Sequence, residues 1–303
     1  MTTHLRDILI TAAKKAGEVQ KEILRRGSGS FDLEKKYDTG TSADFVTEAD
    51  IESERVLREY FQEVMPEYNL LGEEFGGEYN GNGKVILMDP LDATKHFRKG
   101  RPRFGPIIGV YERGRNIAGI EYNVLQNIIY VGTERTGLDR IGSQEDSWPQ
   151  GVVYVGGKVL NCPDFKSELG KTLRHFFPDN PIIAKSDEHD VLHRARVCDG
   201  RWAVYFHAGQ GRHDIAAAPI FGKLTGTNVT DHNGKPYDFL DAELEVAKYG
   251  TGQNDAVSSS TVLVAREPYF EKMLQALAPY KAQLDRRQVP GRRDSLKLPV
   301  LKI

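Results

Sequence analysis

The densest chemical signal in the chain is Asp89-Pro-Leu-Asp92, in which two carboxylates stand three residues apart across a proline. In a tight loop at the end of a strand they can turn toward a common point, and a cation can bridge them there. Hard divalent ions take carboxylate, carbonyl and water oxygens, and Mg²⁺ keeps positions open for water and phosphate oxygens. Glu73-Glu74, after Leu70-Leu-Gly72, offers further oxygen ligands, and Asp44 and Asp50 flank Val46-Thr47 upstream. Each feature alone has a plainer reading, because Asp also favours turns and helix caps, and an isolated Asp-Pro-x-Asp is more often one of those.

Four histidines, His189, His193, His207 and His213, invite a zinc reading, with His189 and His193 one helical turn apart. No cysteine or compact ligand box accompanies them, so exposed or capping roles are expected. Gly209-Gln-Gly211 lacks the Lys-Ser or Lys-Thr that follows a phosphate-binding loop, and it is read as a turn leading to Asp214.

These residues need elements to hold them. Over residues 5–26, Leu5, Ile8, Leu9, Ala12, Ala16, Val19 and Ile23 recur at three- and four-residue steps, which predicts an amphipathic helix ended by Gly27-Ser-Gly-Ser30. A second helix is expected over 48–65, from Ile51, Val56, Leu57, Tyr60, Phe61 and Val64, and Pro66 stops it. The period changes at 84–88, a short apolar run expected as a buried strand that empties into the Asp89-Pro90 loop. Runs at 104–111, 117–122 and 128–131, separated by turn residues, predict an antiparallel meander. Strands at 151–160, 181–186 and 202–206 and helices at 214–224 and 268–278 complete the pattern. The expected class is α+β with α/β character: a layered αβαβα sandwich of two closely packed lobes, an antiparallel sheet with helices followed by a smaller mixed sheet with helices. Residues 1–150 would form the lobe with most of the metal ligands, 151–283 the lobe that adds Asp214 and substrate contacts, and 284–303 a basic tail.

At 303 residues the chain is long enough for two associated cores, since single cores stop growing near ~250 to 300 residues. Hydrophobic residues at 39% and charged residues at 28% exclude disorder and a fibrous repeat. A net charge of -2 gives no global field for a nucleic acid polymer or an anionic membrane. No apolar run approaches the ~20 residues of a membrane span. Asp7 precedes any apolar stretch that could serve as a signal core, so a cytoplasmic location is expected. Cys162 and Cys198 are expected as free thiols.

Four segments occur in a fixed order: Asp44-Phe-Val-Thr-Glu-Ala-Asp50, Gly72-Glu-Glu74, Asp89-Pro-Leu-Asp-Ala-Thr94 and Asp214-Ile-Ala-Ala217. In this order and spacing the chain resembles the inositol monophosphatase superfamily, strongly through Gly132, again over 214–234, and poorly between 135 and 200. The resemblance implies Mg²⁺-dependent hydrolysis of a phosphate monoester on a small metabolite by activated water. It implies no phosphoenzyme, inhibition by lithium, and a homodimer. Two to three Mg²⁺ ions are implied: one on Glu73, Asp89 and the Leu91 carbonyl, a second on Asp89, Asp92 and Asp214, and a weaker third on waters near Glu73. Thr94, hydrogen-bonded to Asp44 and beside Glu73, would deprotonate the attacking water. The amides of Ala93 and Thr94 would grip phosphate oxygens.

The chain also departs from that family's pattern. Ala93 stands where glycine is usual, and at positive φ an alanine costs roughly 1 to 2 kcal/mol. His213 replaces the usual tryptophan before Asp214. His207 stands where inositol-specific members carry a glutamate that binds a substrate hydroxyl, which argues against plain inositol monophosphate and makes His207 a candidate substrate contact. Sugar phosphate, histidinol phosphate and a bisphosphate nucleotide remain as substrates. Lys95 matches members that act on nucleotide bisphosphates or histidinol phosphate, or is simply exposed as most lysines are. The alternative to an enzyme is a catalytically silent relative that binds phosphate and metal in a regulatory role.

Overall fold

In the computed structural model, residues 3–27, 34–37, 44–143, 148–186, 190–237 and 260–285 are described. Helices α1 (Thr3–Arg26) and α2 (Glu48–Val64) lie where the periodicity places them. The start of α2 is fixed by a capping box: the amide and hydroxyl of Thr47 both donate to one carboxylate oxygen of Asp50, at 2.8 and 2.5 Å. Upstream, β1 (Glu34–Tyr37) and β2 (Asp44–Val46) form an antiparallel pair.

The larger sheet has six strands in spatial and chain order: β3 (Asn69–Gly72), β4 (Lys84–Asp92), β5 (Gly105–Glu112), β6 (Arg115–Asn123), β7 (Ile128–Thr133) and β8 (Gly137–Ile141). Only β3 and β4 run parallel; every other neighbour pair is antiparallel, as the meander predicts. Strand β8 was not among the expected strands. It is an edge strand, half-buried throughout, with Asp139 and Arg140 in it, so it lacks the apolar alternation that reveals interior strands.

The smaller sheet contains β9 (Val152–Gly157), β10 (Ile182–Lys185), β11 (Trp202–Gln210), β12 (Asn228–Thr230) and β13 (Ser260–Ala265) in the order β10-β9-β11-β13-β12. Its first three strands are parallel and the last two pairings antiparallel. Helices α1 and α2 cover the outer face of the large sheet. Helices α5 (His193–Cys198) and α6 (Ala218–Thr225) fill the space between the sheets, and α4 (Pro163–Phe176) and α7 (Tyr269–Leu277) cover the outer face of the small one. This is the αβαβα layering expected. Helices α4 and α5 were not anticipated; α5 is six residues long, too short to show a period.

Both faces of the large sheet are buried, and side chains alternate between them. Ile86, Met88, Ile108, Val110, Ile120 and Val131 pack under α1 and α2. Val85, Leu87, Ile107 and Tyr130 point into the middle layer, where they share a core with Tyr154, Trp202 and Tyr205. The chain ends its described part in α8 (Lys281–Asp285), whose Leu284 is buried, so the expected tail begins inside the core; residues 286–303 lie outside the described residues. Cys162 and Cys198 are free, and burial pushes the Cys198 thiol up to about 12. Among the described residues, no helix is long and apolar enough to cross a membrane.

Candidate active site and metal centre

Asp89-Pro-Leu-Asp92 is not a loop after β4 but its bulged end. Asp89 pairs with Ile107 and Asp92 with Gly105, so three steps on one strand match two on its neighbour. In a regular strand, residues three apart face opposite sides; the extra residue returns Asp92 to the side of Asp89. That side is the middle layer, because Ile107 faces it. The bulge is held from within: the Leu91 amide donates to Asp89 Oδ1 at 2.9 Å, and Pro90 O accepts from buried Gln20 on α1 at 2.8 Å.

Glu73 arrives beside it because β3 runs parallel to β4, with Gly72 paired to Met88. Its amide donates to Met88 O at 3.2 Å. The next two amides, of Glu74 and Phe75, donate to the buried carboxylate of Glu54 at 2.7 and 3.1 Å. Gly72 leaves room for that carboxylate: a Cβ there would sit 1.9 Å from Glu54 Oε1.

Asp214 comes from the other direction, in a turn of 3₁₀-helix (His213–Ile215) after β11. One of its oxygens accepts the Gly211 amide at 2.6 Å; of the expected turn Gly209-Gln-Gly211, Gly209 and Gln210 belong instead to the irregular end of β11, and the chain turns after Gln210. The small residues that follow let this segment sit on the sheet. Tyr111 donates its hydroxyl to Ala216 O at 2.6 Å, and a Cβ on Gly109 would lie 2.0 Å from that same oxygen.

Glu73, Asp89 and Asp214 thereby each offer an oxygen within 4.8 Å of the others. Burial, then Glu73, Asp92, Asp214 and Asp50, push the Asp89 carboxyl well above the usual carboxylate range. Such a group is costly to keep ionised without a cation. The donor set contains carboxylate oxygens and no imidazole or thiolate, which fits a hard divalent ion.

The remaining expected residues fall into two groups. Thr94 opens α3 (Thr94–Arg98), and its hydroxyl lies 3.1 Å from Asp50 Oδ1 and 3.1 Å from Leu91 O. Asp50 is thus a carboxylate partner of Thr94; the side chain of Asp44, the expected partner, lies outside the described residues. Ala93, just before α3, has φ 66° and ψ 42°, the left-handed conformation that favours glycine. Asp92 is 3.4 Å from the fully buried guanidinium of Arg194 and is not among the three converging carboxylates. Lys95 is exposed.

His207 lies on β11 with its ring stacked on Tyr205 at 6.2 Å and packed against Gly156, where a Cβ would stand 2.4 Å from the ring. His193 is enclosed by the rings of Trp148, Tyr154, Trp202 and Tyr205. Trp148 and Trp202 are themselves 5.4 Å apart. His189 lies outside the described residues, and no histidine belongs to the converging group found among the described residues.

Sequence reasoning missed Glu54, Gln20, Glu121 and Arg194. A Thr-x-x-Asp capping box was visible at Thr47 and Asp50 and could have marked Asp50 as fixed. Arg194 and Glu121 are 73 residues apart and give no local signal.

The sequence pattern of the inositol monophosphatase family matches residues 1–263. The chain belongs to that family. Among curated relatives, Nus factor SuhB of Pasteurella multocida is 27% identical over 75% of this chain and 85% of its own. The fold matches the extragenic suppressor protein suhB from Bartonella henselae, with a TM-score of 0.70 at 20% identity over 90% of this chain and 98% of that one. It also matches an inositol monophosphatase from Anabaena, with a TM-score of 0.66 at 21% identity over 91% and 96%.

Proposed function

We propose that the chain is a Mg²⁺-dependent phosphatase that hydrolyses a phosphate monoester of a small metabolite by direct attack of water. The observation that carries this reading is the convergence of Glu73, Asp89 and Asp214 within 4.8 Å. The Thr94–Asp50 hydrogen bond at the adjoining strand end supports it. A bound Mg²⁺ supplies charge to polarise the phosphoryl group and to acidify water.

The residues of the chain do the rest. Glu73, Asp89 and Asp214 hold the cation, with the Leu91 carbonyl as a further donor. Thr94 accepts a proton from the attacking water at its Oγ1 while its own hydroxyl proton passes toward Asp50 Oδ1. The amides of Ala93 and Thr94, at the start of α3, orient phosphate oxygens. No side-chain nucleophile is required, in keeping with phosphoryl transfer by positioning and charge. His207 in place of a carboxylate makes plain inositol monophosphate a poor substrate. Sugar phosphate, histidinol phosphate and bisphosphate nucleotide are the classes to test, and lithium inhibition, a homodimer and a cytoplasmic location accompany the reading.

The test is phosphate release from those classes with and without Mg²⁺. Mg²⁺-dependent turnover that Asp89→Asn and Asp214→Asn abolish is expected; near wild-type rates in Asp89→Asn would overturn the assignment. A silent, regulatory relative is the second reading. It is favoured by the left-handed Ala93 and matches the relatives' name, Nus factor, which is not that of an enzyme. Mg²⁺ binding without turnover of any ester would establish it.

A further inference from the structure

Arg194 is one of two wholly buried arginines on α5 in the middle layer; the other, Arg196, pairs with Asp190. Its planar fork is committed on each side: Nε donates to Glu121 Oε1 at 3.0 Å, Nη1 to Gln210 Oε1 at 3.2 Å, and Nη2 to Val191 O at 3.2 Å and Asp92 Oδ2 at 3.4 Å. Tyr205 lies under the guanidinium at 5.8 Å and donates its own hydroxyl to Gln210 at 2.9 Å. Glu121 pairs with Ile107 across β5 and β6, so it projects into the same layer as Asp89 and Asp92. Arg194 is thus pinned between both sheets with one donor turned to the candidate metal centre. Burial opposes its charge, but Glu121 and then Tyr205, Asp92 and Asp214 hold it firmly protonated.

We propose that Arg194 is a built-in counter-ion for Asp92 that takes the electrostatic place of a second divalent cation, so that each chain binds a single Mg²⁺ tightly. The inference rests on the phosphatase reading above. Asp92 lies on the same face of β4 as Asp89, yet the oxygens that converge belong to Glu73, Asp89 and Asp214. A guanidinium cannot lose its proton, so a second ion beside Asp92 would always meet a fixed positive charge. Arg194 is a positioning residue on this account: it orients Asp92 and does not touch the ester. A purely structural Arg194–Glu121 pair would leave Asp92 an ordinary metal ligand, and the two roles predict different metal binding.

The experiment is calorimetric titration of Mg²⁺ into the full chain freed of metal, with circular dichroism to verify folding. The wild type is expected to bind one Mg²⁺ per chain. Asp92→Asn should change the dissociation constant by less than about tenfold, while Asp89→Asn should weaken binding by about a hundredfold or more. Glu121→Gln with Arg194→Met removes the buried pair together, avoiding an orphaned charge, and should raise the stoichiometry to two. Two tight Mg²⁺ sites in the wild type, an Asp92→Asn loss equal to that of Asp89→Asn, or a folded double variant that still binds one ion would overturn the inference and leave the phosphatase reading intact. If the double variant does not fold, the first two measurements decide. Absence of any Mg²⁺ binding would overturn both.

Discussion

The Thr94 hydroxyl lies 3.1 Å from an Asp50 carboxylate oxygen although the two residues are 44 positions apart. The other oxygen of the same carboxylate caps α2 through Thr47. Asp50 therefore cannot swing away without fraying the helix, and Thr94 is held with its lone pairs available to a water molecule.

A pair that moves one proton should fail as a unit. Thr94→Ala and Asp50→Asn are each expected to lower kcat by about a hundredfold or more. The double variant should be no slower than the worse single. Steady-state kinetics at saturating Mg²⁺ reads this directly, and multiplicative losses would show that the two act separately.

Ala93 carries backbone strain at φ 66°. Relief by glycine is worth roughly 1 to 2 kcal/mol, partly offset by about 0.4 to 1 kcal/mol for the greater freedom of the unfolded chain. Ala93→Gly should raise stability by about 0.5 to 1 kcal/mol, a Tm gain of a few degrees at most. Thermal unfolding of the two proteins checks it, and an unchanged or lower Tm would contradict it.

Gly72→Ala would force a carbon into the space of the Glu54 carboxylate, against which a Cβ would lie at 1.9 Å. Glu54 holds the amides that follow Glu73, so the metal loop should shift with it. A loss of about 1 to 3 kcal/mol is expected from the crowding, with Mg²⁺ affinity falling about tenfold or more. Denaturant unfolding and Mg²⁺ titration measure the two effects separately.

The Asp89 carboxyl is raised above its ordinary 3.8 by burial and then by Glu73 and the other acids around it. The folded chain therefore holds that proton more tightly than the unfolded chain. Its contribution to the stability of metal-free protein is complete below the unfolded value and is lost as pH rises through the folded one. Mg²⁺ binds the ionised form, so its protection should grow with pH. The Tm increase on adding Mg²⁺ should grow as pH rises through the folded value, and this growth should shrink in Asp89→Asn; thermal unfolding across a pH series measures it.

What could be read from the sequence tracks how local each cause is. The helices over Thr3–Arg26 and Glu48–Val64 and the inner strands of the large sheet announce themselves because each buries a regular face. Strand Gly137–Ile141 buries little and gives no such period. Asp89, Asp92 and Glu73 stood out by type and spacing, and Asp214 through the family resemblance. Their division into three converging oxygens and one arginine-bound carboxylate did not, because a bulge and a helix about a hundred residues downstream decide it. Asp50 was read only as flanking Val46-Thr47, because its hydrogen bond to Thr94 depends on where α2 meets β4, which no run of residues states.

The two tryptophans of the chain sit side by side, 5.4 Å apart and both against His193. Tyr154 stacks on Trp202 and on Tyr205, and Tyr205 underlies Arg194. Indole fluorescence from this protein therefore arises at one locale, two rings removed from the guanidinium that grips Asp92, and the molecule carries its own optical reporter for that half of the site.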